Sequence, residues 1–326
     1  LRAEGSRQLR VYVSSETHTW IHKAADQFGL GNQFIRWIPV DSERRIDTQA
    51  LTNQIREDKQ SGDLPFLVVG NAGTVSTGAI DPLAKLRSIC TEHDLWLHAD
   101  GAYGAAAAAL PDAPDDLKAL SMADSVAVDP HKWLYAPLEA GCALVRDPKA
   151  LRDAFSYHPV YYSFEQENEQ PGLNYYEYGP QNSRGFRALK VWLALRQVGR
   201  EGYQEMMSED IRLAKALFEF AHDHPDLEAL TLSLSICTFR YVPAGLETGS
   251  EKMEAYLNEL NTELVARVQR SGEAYLSNAV IGGKYALRAC VVNFRTSFED
   301  IEALPKIVTR IGREVDAERR PAELRG

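Results

Sequence analysis

The 326-residue sequence lacks any apolar run long enough to cross a membrane as a helix. Its first residues, LRAEGSRQLRVYVSSE, contain no hydrophobic signal core and no initiator methionine. The chain therefore reads as a soluble, cytoplasmic protein that begins inside a domain, with an upstream part expected to be missing. Positive charge is in deficit: 36 Lys and Arg stand against 46 Asp and Glu, a net charge of −10. That balance argues against a nucleic-acid partner, which needs a basic face. Cysteine is scarce, and Cys90, Cys142, Cys237 and Cys290 stand far apart with no CxxC pair. They give no sign of a disulfide framework or structural zinc and suit a reducing compartment. There is no HExxH motif, no repeat, and no low-complexity segment beyond AAAAA at 105–109, which reads as close helix packing.

What is present is an alternation of short apolar runs with amphipathic stretches. Strand candidates occur at 9–14, 66–70, 95–100, 125–129 and 141–146, with helical patterns over 17–28 and 81–93. Asp81 followed by Pro82 looks like an N-cap with Pro at the first helical position. Such alternation implies an α/β fold with a mostly parallel sheet covered on both faces. Ligands bind such sheets outside the carboxyl ends of their strands. The polar residues just past the strands, 14–18, 71–74, 100–103 and 129–132, therefore form one candidate site.

From 147 to 184 the pattern lapses, and six tyrosines fall between 157 and 178 among Pro, Gly, Asn and Glu. A loop of this length is usually functional or disordered. Helical patterns resume over 185–199 and 202–223, and a further helix is read over 251–271. Strands LSICTFRYV and ALRACVVNF flank that helix. The chain is too long for one core. It divides into a large domain over 1–200 and a smaller C-terminal α+β domain over 201–326.

The chemistry lies at the strand ends. VAVDPHKWLY, residues 126–135, runs from a β-branched strand directly into Lys132. A desolvated lysine there is a nucleophile for carbonyl compounds, and pyridoxal phosphate is the obvious aldehyde. The cofactor's ring nitrogen needs a carboxylate, and Asp100, followed by the small Gly101 and Ala102, is suited to that role. His18 has the planar ring to stack on a cofactor, and Thr74 in NAGTVSTG has a hydroxyl to offer. Each residue has a plainer reading as well. Strand-end lysines are usually solvated, Asp-Gly is a turn signal, and His18 with His22 reads as a surface pair. His222 and His224 end a helix, Gly282-Gly283-Lys284 is a turn, and the tyrosines can serve packing alone.

Taken together, SSETHTW, HADGAYG, DPHKW about thirty residues later, and SRGFRALKVWLALR resemble the group II pyridoxal-phosphate-dependent amino acid decarboxylases, the family of aromatic-L-amino-acid decarboxylase. The likeness runs from about residue 9 to 315. It implies fold type I of the pyridoxal-phosphate enzymes, with a mostly parallel seven-stranded sheet flanked by helices and a smaller C-terminal α+β domain. It also implies a homodimer with the active site at the interface. In that family Lys132 would carry the cofactor as an aldimine and His131 would help bind its phosphate. Asp100 would pair with the pyridine nitrogen, Ala102 would pack on the ring, His18 would stack on the other face, and Thr74 would lie near the cofactor. Tyr161, in the tyrosine-rich loop, would protonate the carbanion after carbon dioxide leaves.

The sequence departs from the family in three places. The family's upstream helical arm and Ser/Gly-rich phosphate loop precede the part seen here. Asp129, which the resemblance puts among the cofactor-binding residues, stands where several relatives have Asn, and Gly185 where the family often has a second arginine. The implied function is decarboxylation of an L-amino acid, aromatic ahead of acidic, with no metal and no membrane partner. The alternatives are an acidic substrate, the aldehyde-synthase branch, and a truncated non-catalytic homologue. Retention of His18 and Tyr161 weighs against the aldehyde-synthase branch.

Overall fold

The computed structural model describes residues 7–157, 173–246 and 248–324. Its first part alternates strands and helices in chain order: β1 (Leu9–Ser14), α1 (Trp20–Gln27), β2 (Ile35–Ile38), α2 (Thr48–Gln60), β3 (Leu64–Asn71), α3 (Leu83–His93), β4 (Trp96–Asp100), α4 (Asp115–Lys118), β5 (Ser125–Val128), β6 (Cys142–Val145) and α5 (Pro148–Phe155). The strands form one sheet in the order β2-β1-β3-β4-β5-β6. The first five pair in parallel, and β6 closes the edge antiparallel to β5. Apolar runs explain the middle of this sheet. Val11, Tyr12, Val13, Val68, Val69, Leu97 and Ala99 are all buried, against Leu51, Ile55, Leu83 and Leu86 on one side and Ile21 and Ala25 on the other.

Local chemistry sets several helix starts. Asp47 caps α2 by accepting from the backbone N–H of Gln49 and Ala50 at 2.9 and 3.0 Å. Asp81 does not cap α3 in the way the sequence leads one to expect. The cap position is Pro82, without a side-chain bond. The Asp81 carboxylate turns inward instead, accepting from Ile46 N at 2.7 Å, Asn71 N at 2.6 Å and Asn71 Nδ2 at 2.8 Å. Three backbone or amide donors in a dry site outweigh one helix N-terminus.

A second sheet follows, antiparallel throughout, in the order β7 (Leu227–Ser233), β8 (Ile236–Tyr241), β10 (Lys284–Cys290), β9 (Ser277–Ile281). One face is packed by α6 (Ala188–Asp223), α7 (Glu251–Ser271) and α8 (Phe298–Arg319), which bury Leu213, Leu217, Leu260, Leu264, Val308 and Ile311 against Phe239, Tyr241 and Leu287. α6 is two helices in one, because Gly199 at φ 71° breaks it where the sequence pattern changes. Helix α8 was not read from the sequence, its start fixed by a reciprocal Ser297–Asp300 capping box. Between the sheets, Tyr103 Oη lies 2.7 Å from Ser235 Oγ and accepts from Ser235 N at 2.9 Å, while Ser233 Oγ donates to Gly78 O at 2.8 Å.

The α/β class and the mostly parallel large sheet agree with the sequence. The strand count does not: six strands are found among the described residues, where seven were expected. The seventh came from the family pattern and corresponds to no apolar run in this chain. Strand β2, with only two buried positions, and strands β7 and β9 were absent from the sequence reading. No helix among the described residues is long and apolar enough to cross a membrane.

Candidate active site

The register of the large sheet brings the expected residues to one edge. Asn71 pairs with Asp100, and Asp100 with Ala127, so the carboxyl tips of β3, β4 and β5 are level. Backbone bonds extend the alignment past the strands, from Ala72 N to Asp100 O at 2.8 Å, Gly101 N to Ala127 O at 3.0 Å and Asp129 N to Ala102 O at 3.2 Å. Gly101 is required there, since a Cβ would meet Ala105 Cβ at 2.5 Å and Ala127 O at 3.0 Å.

Asp100 is 9% exposed. Its Oδ2 accepts from the Trp20 indole N–H at 2.6 Å and its Oδ1 from Ala102 N at 3.2 Å. Lys132 lies on the turn after β5, where its Nζ pairs with Asp129 Oδ2 at 2.9 Å. The lysine side chain is 43% exposed, so the burial expected of it is not found: it follows a half-buried strand, and the turn carries it outward. Asp129 is turned toward Lys132 and lies 3.9 Å from His131 Nε2. The His131 Nδ1 is 2.7 Å from Ala140 O, which holds the ring across the turn.

The turn that bears Lys132 is held by a carboxylate the sequence reading missed. Asp210, on α6 and 1% exposed, accepts from Trp133 Nε1 at 2.9 Å and from Tyr135 Oη at 2.5 Å. Burial pushes the Asp210 carboxyl above its usual range, against the pull of those two donors. Trp133 also stacks on Tyr103, centroids 4.8 Å apart and planes 7° from parallel. Through Tyr103 the lysine turn is thus tied to Ser235 of the second sheet. Only spatial proximity reveals Asp210, since 77 residues separate it from Trp133.

His18 is exposed at the start of α1, its Nδ1 accepting from Trp20 N at 3.2 Å. It does not gather with His22, which bonds Asn32 Oδ1 at 2.7 Å and leans on Trp37. Thr74 is 2% exposed, and its hydroxyl is spent in its own turn, 3.0 Å from Thr77 Oγ1 and accepting from Ala79 N at 3.2 Å. Ala102 is partly exposed beside Asp100. Tyr161 lies outside the described residues. Beneath the tips, Asn71 Nδ2 also reaches Ser14 Oγ at 3.1 Å and Thr17 Oγ1 at 3.3 Å, joining β1 to β3 where the strand order reverses.

Lysine, buried carboxylate and histidine thus gather past the strand ends at the carboxyl edge of the sheet, where α/β proteins bind small ligands. The profile of the pyridoxal-dependent decarboxylase conserved domain matches residues 3–241, and the chain belongs to that family. An aromatic-L-amino-acid decarboxylase of Bacillus atrophaeus is 36% identical over 306 residues, 94% of this chain and 63% of that protein. A phenylacetaldehyde synthase of a Rosa hybrid cultivar is 30% identical over 293 residues, 89% of this chain and 58% of that one. Among solved structures, Oryza sativa TDC with PLP and tryptamine superposes with a TM-score of 0.86 at 26% identity, covering 94% of this chain and 63% of that one. The chain thus spans 63% and 58% of the length of these two curated relatives.

Proposed function

We propose that the chain carries the cofactor site of a pyridoxal-phosphate-dependent carboxy-lyase that converts an L-amino acid, aromatic ahead of acidic, into its amine. One observation carries this reading: a buried carboxylate at the tip of β4 and a lysine amine on the turn that follows the adjacent, level tip of β5, in a chain of the decarboxylase family. The residues fit the cofactor. Lys132 presents an accessible amine, Asp100 Oδ1 has a single long bond to Ala102 N, and small residues stand beside it. Bound pyridoxal phosphate supplies an electron sink for the pair left when carbon dioxide departs.

The chain's own groups then have defined tasks. Lys132 would hold the cofactor through its amine, and Asp129, 2.9 Å away, holds that amine on the turn. Asp100 would hold the ring nitrogen's proton, His18 and Ala102 would lie against the ring, and His131 would help hold the phosphate. Thr74 acts through the shape of its turn. Tyr161 delivers the proton to the reacting carbon.

The domain boundary is proposed at residue 200, supported by the break at Gly199. A cytoplasmic setting is supported by four free cysteines. A homodimer with the active site at its interface is supported by Leu189, Trp192 and Leu193 on one face of α6, 43%, 57% and 52% exposed, beside Phe186 at 75%.

The test is intact-mass analysis after incubation with pyridoxal phosphate and borohydride, with peptide mapping, followed by a screen of amino acids for released carbon dioxide. One adduct on Lys132 with amine formation is expected. A Lys132→Ala protein that gives the same adduct refutes the assignment.

A further inference from the structure

Asp100 is held by a residue with no assigned role. Trp20 opens α1, and its indole N–H donates to Asp100 Oδ2 at 2.6 Å across 80 residues of sequence. The indole is itself fixed from behind. Its ring meets His98 edge-on, centroids 5.8 Å apart and planes at 75°. His98 lies on β4 two residues before Asp100, on the same face. His98 Nδ1 is 2.8 Å from Ser125 Oγ, which also accepts from Trp96 Nε1 at 2.8 Å. Burial holds the His98 imidazole below its usual range, so the group behind Trp20 is neutral at pH 7. The backbone N–H of Trp20 donates to His18 Nδ1 at 3.2 Å, so one helix start orients both the histidine and the indole.

We propose that Trp20 is a positioning residue for the cofactor: its N–H locks the Asp100 carboxylate in one rotamer and biases the shared proton toward the pyridine nitrogen. This rests on the decarboxylase reading above. The physics is specific to an indole. A hydrogen bond donated to a carboxylate favours its charged form, and a charge-assisted bond is short and directional. Tryptophan is a donor only, so it has no lone pair to take the ring proton. It leaves Oδ1, whose partner is the weaker Ala102 N–H, for the ring nitrogen. Phenylalanine at position 20 would keep the packing on His98 and lose the donor alone.

The experiment has two arms. In the cofactor-free protein, the indole N–H resonance of Trp20, assigned among the five tryptophans by its loss in Trp20→Phe, is expected downfield and to move upfield in Asp100→Ala. A resonance that ignores Asp100→Ala overturns the proposal whether or not the cofactor binds. In the loaded protein, ring-15N-labelled pyridoxal phosphate is expected at the pyridinium position. In Trp20→Phe that signal should move toward neutral pyridine, and the dissociation constant should rise on the order of 10-fold, as for one lost bond to a charged group. A Trp20→Phe protein with wild-type nitrogen shift and affinity also overturns the proposal. A wild-type chain that binds no cofactor overturns the reading that this chain by itself carries the cofactor site, and leaves the first arm to decide the role of Trp20.

Discussion

The two halves of the large sheet are covered differently, although the site draws on both. β1 and the last four residues of β3 are buried at almost every position, and β4 buries Leu97, Ala99 and Asp100. β5 is only half-buried along its length, and β6 is exposed at Cys142, Ala143 and Leu144. The carboxylate side of the candidate site thus stands on a finished core, while the lysine side stands beside exposed strand positions, and the chain around the start of α6 is exposed too, at Phe186 and Trp192. Side chains on the covered half are fixed by this chain's own packing. Those on the open half gain their surroundings from whatever covers that face, so equivalent substitutions should have unequal effects on the two halves.

The sharpest test on the covered half is Asp100→Asn. Its geometry is preserved by packing and by Trp20, so the fold should survive while amine formation falls about 10²- to 10⁴-fold, the range for losing a positioned acid or base. Steady-state amine release with a parallel thermal melt checks both parts. A mild loss of rate would mean that the covered half does not hold the ring proton.

Asp81 tests the same half through stability. Burial pushes its carboxyl up to about 6, against the donors of Asn71 and Ile46. The folded value lies above the usual 3.8. The folded state therefore binds the proton more tightly, and the stability this confers is complete below pH 4 and lost as pH rises through 6. The difference amounts to roughly 3 kcal/mol. Urea midpoints for wild type and Asp81→Asn, which cannot titrate, should converge or cross in that direction between pH 4 and 7. Parallel curves would show that its three donors hold Asp81 ionised throughout.

How much of this was legible in advance follows the same divide. The apolar runs of β1, β3 and β4 and the lysine after β5 are local signals, and the rule of ligands at strand carboxyl ends turned them into a candidate site. Strand β2 was missed because IRWI buries only its two isoleucines. Asp210, Trp20 and His98 were missed because each acts through a partner remote in sequence or on a neighbouring strand, with no spacing to betray it. The Asp81 cap failed because capping propensity is a local preference, and the buried donors of Ile46 and Asn71 are the stronger claimants. The burial of Lys132 was overestimated because an apolar strand sequence states what a strand would bury, not what is there to bury it against.

The smallest expected effect on folding is on the exposed start of α6. Trp192→Glu removes a 57%-exposed indole whose neighbours Leu189 and Leu193 are themselves exposed. Exposed positions away from caps and networks change stability by only about 0.5 kcal/mol. Leu97→Ala on the covered half, fully buried in β4, should by contrast cost about 2–5 kcal/mol. If the α6 face is a subunit interface, a charge at its centre separates the protomers, since burying an unpaired carboxylate is costly. Trp192→Glu should then shift sedimentation from dimer to monomer at an unchanged urea slope and nearly unchanged monomer stability. A protein that is monomeric before the substitution would leave the α6 face needing another cover, and one that remains dimeric after it would place the interface elsewhere.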